Sequence, residues 1–477
     1  MLSSPISDRQ SYGLTFVALA VAGIAYALMS AMLAPALPDI QHELGASPTS
    51  VAWLLTAFLL STSIFTPIAG RLGDMFGKDR MLVVTLALML VGGVVSALAD
   101  TLELLIAGRV IQGVGGAVFP LAFGIIRDEF PPARTADGIA LISAILGVGG
   151  GLAIVFAGPT VDGLGLHWLF WIPTIVGAIA LAAAVVWVPE SPVKTPGKVN
   201  ALGAVLLSAW LVCLLVAVSQ GQAWGWTSAR VIGLIVAAAA IALAWVRNER
   251  SAAAPLVDMS MMRIRGVWTV NAAALLIGAG LYSSFILIPQ FVEQPVSSGY
   301  GFGASVTQAG QFMLPATAMM LLISPLAGRL SNAFGSRGPL ILGSLVTATS
   351  FAMLALLHAA ESEIYIAATL MGVGMGLAFA SLANLIVEAV PPEQTGVATG
   401  MNTVMRTVGG AIGSTVGAAV IAGTVVGSGA PTEAGFSGAF GISAAACVLA
   451  LLASLSVPVR AQPERAPANT GVLSARA

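Results

Sequence analysis

Charge is scarce in this sequence. Only 9% of its 477 residues are Asp, Glu, Lys or Arg, 57% are hydrophobic, and the mean hydropathy is +0.95. A water-facing surface needs far more charge, which excludes a soluble globular protein. Cysteine is nearly absent too: Cys213 and Cys447 fall inside separate apolar runs, leaving no disulfide framework and no metal-ligand spacing. No metal site and no cofactor is expected. The three histidines, His42, His167 and His358, stand near the ends of apolar runs with no paired catalytic group, which argues against an enzyme. No glycine-rich phosphate loop ending in Lys-Ser or Lys-Thr occurs, so ATP cannot drive this chain unaided. A net charge of −1 gives no sign of a nucleic-acid partner.

What the chain has instead is apolar length. A helix crosses a bilayer with about 20 apolar residues. About fourteen runs of that kind follow one another, from 14–36, 50–69 and 103–126 to 436–457. The expectation is an all-α integral membrane protein lying in a lipid bilayer, its first run too long to be a signal peptide. With the N-terminus in the cytoplasm, Arg71, Lys78, Arg80, Arg127, Arg134, Lys194, Arg247, Arg250, Arg263, Arg265, Arg329 and Arg337 fall inside and Arg230 alone outside. The positive-inside rule therefore places both termini in the cytoplasm of a cell (inner) membrane protein.

One phrase occurs twice. "TPIAGRLGDMFGKDR" at 66–80 matches "SPLAGRLSNAFGSRG" at 324–338, and "PPART" at 131–135 is echoed by "PPEQT" at 391–395. Two matches at nearly one offset indicate a duplicated half. Eight runs lie between the copies, two more than a six-helix unit needs, and 200–219 with 229–247 are the natural insertion. The division is then a cytoplasmic segment 1–13, a six-helix bundle 14–190, a linker 191–260 carrying the inserted hairpin, a second six-helix bundle 261–457, and a flexible cytoplasmic tail 458–477. Two six-helix bundles related by pseudo-two-fold symmetry, about 14 helices in all, are the expected fold.

Three motifs in order, "GRLGDMFGKDR" at 70–80, "RVIQGVGGAVFP" at 109–120 and "GVGGGLAIVFAGP" at 147–159, make the chain resemble the major facilitator superfamily, specifically its fourteen-helix drug:proton antiporter branch. The resemblance implies a multidrug efflux type of activity: secondary active export of small molecules, with protons as the second partner, alternating access, and a monomer as the working unit. It also implies gating roles for Gly70, Arg71, Asp74, Gly77, Lys78 and Arg80, read here as a loop, and for Gly328, Arg329 and Gly335 of the second copy. Asp74 is suited to capping a helix N-terminus or to accepting from an arginine. Asn332 replaces it in the second copy, so the two gates are expected to differ in energy. Arg71, Lys78 and Arg80 also serve as simple positive-inside anchors.

Arg109, about 9 Å along its helix, and Arg406, about 15 Å into its span, are costly in lipid unless they meet a wet cavity or partners. With Gln112 they are candidates for proton coupling or substrate contact; pairing of Arg406 with Asn384 or Glu388 is the structural alternative. Gly147, Gly151, Gly158 and Pro159 form the antiporter motif, equally readable as small-residue packing. Asp162 is either a proton site at the outer mouth or a solvated helix end. No Asp or Glu stands near the middle of any span, and Met29 occupies the place where cation exporters of the branch carry an acid. Neutral or anionic substrates are therefore expected ahead of dications. Tyr26, Met29, Asn271, Tyr282, Gln311 and Asn402 are cavity candidates. Two other readings remain open: a facilitator or uptake carrier for one metabolite, which the missing mid-span acid favours, and a non-transporting scaffold or receptor, which the gate motifs disfavour.

Overall fold

The computed structural model describes residues 5–195, 199–425 and 431–458, which are helical with no strand among them. The first half comprises α1 (Pro5–Ala31), the short α2 (Leu37–Leu44), α3 (Pro48–Phe76), α4 (Lys78–Ala97), α5 (Leu102–Gln112), α6 (Val118–Glu129), α7 (Pro132–Leu164) and α8 (Trp168–Trp187). The hairpin α9 (Ala201–Trp224) and α10 (Ala229–Ser251) and the four-residue α11 (Met259–Met262) follow. Then come α12 (Arg265–Val292), α13 (Val306–Phe334), α14 (Arg337–Leu356), α15 (Glu361–Ala389), α16 (Thr395–Ala422) and α17 (Glu433–Leu455). Fourteen stretches are long and apolar enough to span a membrane, as the hydropathy pattern requires.

Helix ends follow capping chemistry. Ser47, Asn200, Ser228 and Thr432 each accept a backbone N–H of the first turn, and Ser305 with Gln308 forms a reciprocal capping box. Four boundaries depart from the hydropathy reading. Residues 5–13 continue helix α1 instead of preceding it, and α1 stops at Ala31, short of 36, because Pro35 and Pro38 allow only a 3-10 turn and a new short helix. The run 103–126 is two helices joined by a 3-10 stretch, Gly113–Ala117, where three glycines weaken the α-helix. The segment 70–80 is a loop at one residue only: α3 continues to Phe76, Gly77 turns the chain at φ 111°, and α4 begins at Lys78. Gly335, φ 81°, makes the same break between α13 and α14. Of the tail 458–477, residues 459–477 lie outside the described residues, as do residues 1–4 of the N-terminal segment.

Helices of the first six spans meet those of the last six along two seams, α3 against α16 and α7 against α13 and α15. Helix α15 is the most enclosed, 83% of its apolar window being buried, whereas α10 buries 17% and lies at the rim. Helix α9 joins α10 to the bundle, packing on α3 and α16, and its Leu207, Leu211 and Leu215 are buried in the apolar core it shares with the second half. Large apolar side chains such as Val186, Leu243 and Leu322 face outward, as lipid-facing surface must.

Candidate functional site

The buried polar chemistry begins where α3 ends, here called the Gly77 end. Asp74 is fully buried, and its two carboxylate oxygens accept from the backbone N–H groups of Gly396 and Val397, both at 3.0 Å. Those donors belong to the first turn of α16, whose unpaired N–H groups and dipole favour an anion. The partner of Asp74 is thus a helix N-terminus across the seam rather than an arginine. Lys78 stands 3.9 Å from Asp74 and 2.5 Å from Asp128, all three side chains being almost wholly buried. The lysine and the helix terminus offset the desolvation of two carboxylates. Gly70 permits this approach: a Cβ there would overlap the Gly396 carbonyl, and one on Gly396 would overlap that of Gly70. Arg71 is half-buried nearby. Arg80 is exposed and pairs with Glu190 at 2.8 Å, and Lys194 with Arg80 holds the Glu190 carboxyl below its usual range.

The second copy makes a contact of opposite polarity. Asn332 donates its amide to the Ala133 carbonyl (3.3 Å) and to Asp137 (3.2 Å) at the start of α7, in an exposed setting. A Cβ on Gly328 would come within 2.5 Å of Asp137 Oδ1, so the backbone approach recurs; Arg329 is exposed with Asp137 near it, and Gly335 contributes only its backbone turn. One seam carries a buried charge with two backbone donors, the other an exposed amide.

Deep in the bundle, Arg406 stands eleven residues into α16 and Arg109 seven residues into the span that α5 and α6 form. Arg109 is 1% exposed; it donates to the Leu54 carbonyl (3.2 Å), the Met29 carbonyl (2.7 Å) and Gln112 Oε1 (2.9 Å), and lies 4.1 Å over the Phe58 ring. It therefore ties α1, α3 and α5 together where α1 is ending. Its Nη2 and the Gln112 amide nitrogen remain buried donors without a partner. Arg406 sits 5.1 Å over Phe379, with Tyr282 and Tyr26 as its titratable neighbours. Of the partners suggested for Arg406, Asn384 donates to the Ala136 carbonyl and Glu388 accepts from Ser336. Tyr26 from the first half thus neighbours both arginines, and Tyr282 from the second neighbours Tyr26 and Arg406. Asn402 donates to Asn271 (2.9 Å), whose own amide nitrogen is a buried unpaired donor. Met29 is buried and offers Arg109 its carbonyl, not its side chain. Gln311 is exposed on α13, and Asp162 is exposed in the last turn of α7.

The glycines of 147–159 line the second seam. Side-chain atoms on Gly147 and Gly151 would collide with Met320 and Thr317 of α13, while Gly158 faces Thr307 at 3.5 Å and Pro159 sits within α7. Gly149 faces Ala27 of α1 instead.

The sequence pattern of the Major Facilitator Superfamily matches residues 19–414, most of the chain. The chain belongs to this superfamily. It is therefore a multi-pass membrane transporter and not an enzyme. Among superfamily relatives, the tetracenomycin C resistance and export protein of Streptomyces glaucescens is 29% identical over 389 residues, covering 80% of this chain and 71% of that protein. Multidrug resistance protein 3 of Bacillus subtilis is 28% identical over 379 residues, 78% and 73% of the two chains. The human organic anion transporter MFSD10 superposes with a TM-score of 0.67 at 16% identity over 95% of this chain and all of that one. The proton:xylose symporter XylE gives 0.68 at 16% identity over 94% and 97%. At that identity both support the fold alone.

Three contacts in this superfamily member had no place in the motif reading. Arg127 crosses the seam to the Val390 carbonyl (2.8 Å) and the Thr395 hydroxyl (2.6 Å), Asp128 holds Lys78, and Asp137 faces Asn332. Arg127 with Asn332, Asn384 and Glu388 lines a cavity of about 650 Å³ between the halves at the Gly77 end. The signal was present in "RDEFPPART", whose "PPART" echoes "PPEQT", but Arg127 reads there as a topology charge only.

Proposed function

We propose that this transporter exports small amphiphilic compounds by proton antiport, alternating access between two halves, 14–190 and 261–457, joined by the 191–260 linker. The observation that carries the reading is the Asp74 contact: a buried carboxylate of one half capping a helix of the other at one end of the molecule. Such a contact exists only while that end is closed, so it biases an equilibrium between closed and open. The Gly77 end is taken as cytoplasmic on the distribution of lysine and arginine. Export of drug-like compounds is supported by the names of the two curated relatives. Proton coupling is assigned to Arg109 and Gln112, with Asp162 as an outer proton site.

Substrate charge follows from the interior. Arg109 and Arg406 contribute positive charge, the unpaired buried amide and guanidinium atoms there are donors, and no mid-span carboxylate lies among the described residues. A cation entering this region meets repulsion, whereas a neutral or anionic acceptor-bearing molecule finds partners. Tyr26, Tyr282, Asn271 and Asn402 are the proposed lining.

The test uses inside-out vesicles with an acid interior, following uptake of neutral, anionic and dicationic probes together with tetracenomycin C. Neutral or anionic uptake that collapses when the pH gradient is dissipated is the expected result. Preferential dication uptake would overturn the substrate class. Uptake that only equilibrates, with or without a gradient, would make the protein a facilitator, the reading that the missing mid-span acid favours.

A further inference from the structure

At the end of the molecule remote from Asp74, His358 follows the last turn of α14, and its side chain is 9% exposed. Nδ1 lies 2.8 Å from the Leu354 carbonyl and Nε2 lies 3.0 Å from Glu433 Oε1. A carbonyl oxygen only accepts, and so does an ionised carboxylate. A neutral imidazole has one N–H and would turn a lone pair toward one of these acceptors; the imidazolium satisfies both. The local fields agree. The Leu354 carbonyl belongs to the C-terminal turn of α14, where positive charge is favoured, and Glu433 is the first residue of α17, where negative charge is favoured. The Glu433 side chain is 58% exposed, which gives the buried ring a route to solvent protons.

The ring also packs at 85° against Phe291, centroids 5.3 Å apart. Phe291 lies in the last turn of α12 and touches Tyr300, Phe302, Phe436 and Phe440 as well. Tyr300 donates to the Pro431 carbonyl at 2.6 Å. Other titratable groups stand on the surrounding elements. Glu363 accepts from the Ala360 N–H, and Glu361 opens α15. Burial pushes the Glu293 carboxyl up, and burial followed by Glu433 pushes the Tyr300 phenol up, which keeps Tyr300 a hydrogen-bond donor.

We infer that His358 and Glu433 form a proton-binding site, separate from the Arg109 region, whose occupancy fastens the ends of α14, α17 and α12 together. The sign follows from the pair. The imidazolium donates to both the Leu354 carbonyl and Glu433, whereas the neutral ring leaves one of these acceptors without a donor and the contact weakens. Under the orientation proposed above, the site samples the outer medium. Acid outside would then brace the 289–305 segment that leads from α12 into α13, the helix packed against α7 across the second seam.

The test uses full-length protein in nanodiscs, carrying His42→Gln and His167→Gln so that His358 is the one histidine. In ¹⁵N-histidine spectra at pH 6, both ring N–H signals are expected, with Glu433→Gln removing the Nε2–H signal. Amide exchange over 289–305, corrected for its intrinsic pH dependence, should be at least fivefold faster at pH 8 than at pH 6. That difference should vanish in Glu433→Gln and His358→Gln. A ring with a single N–H at pH 6, or a pH response that persists in His358→Gln, would overturn the proposal. Because both readouts are structural, their failure leaves the transport reading untouched.

Discussion

Asp74 receives two backbone hydrogen bonds because its carboxylate reaches the first turn of α16 where N–H groups have no helical acceptor. An amide at this position keeps the shape but has one acceptor oxygen, and its NH2 faces a donor. Bonds to a charged group contribute about 1.5–3 kcal/mol each. Asp74→Asn should therefore shift the closed–open balance at the Gly77 end toward open by roughly 10- to 100-fold. Spin-label distances between α3 and α16 check this, and an unchanged distribution would remove Asp74 from gating. Asp74 itself was legible from its motif. Its partner was not, because the partner is main chain, and any residue at 396 or 397 that tolerates the approach supplies the same N–H. Asp128, Arg127 and Asp137 were harder still: each acts through a helix distant in sequence, so charge spacing along the chain says nothing of the pairing.

Among elements, the α7–α13 contact shows how glycine spacing sets helix approach. Gly151 allows Thr317 to sit against the α7 backbone, and Gly158 leaves ordinary van der Waals room. Gly151→Val should force the seam apart, lowering thermal stability in detergent by an overpacking cost of about 1–3 kcal/mol and making vesicles leaky to substrate. Gly158→Ala should change neither measurement appreciably. Equal effects from the two would mean that the motif acts through helix flexibility and not through contact. Helix number and order were readable because apolar length is decisive in a bilayer. Helix ends were not: hydropathy falls at Gly70 as charge appears, yet the helix continues another turn and a half, since buried ion partners let polar residues stay helical.

At the scale of the whole molecule, the inserted hairpin is anchored by Glu249. This carboxylate is 2% exposed and accepts from Asn200 (3.2 Å) and from the Val257 N–H (3.1 Å), joining both ends of the hairpin to the segment that leads into α11. Glu249→Ala leaves those donors unpaired and should cost about 1.5–3 kcal/mol, read as a lower unfolding temperature with the fourteen spans retained. No change in that temperature would show the hairpin to be held by its leucines alone. Counting runs between the two copies gives two helices more than a six-helix unit needs; where α9 packs was not readable, because its apolar residues carry no directional pattern.

That placement has an effect on traffic through the membrane plane. Helix α9 lies along the seam between α3 and α16, so lipid is kept from that line of contact. The other seam, α7 with α13, shows Phe156, Leu321 and Leu322 to the surroundings. A compound already dissolved among the acyl chains thus meets an additional helix on one flank and the close α7–α13 contact itself on the other.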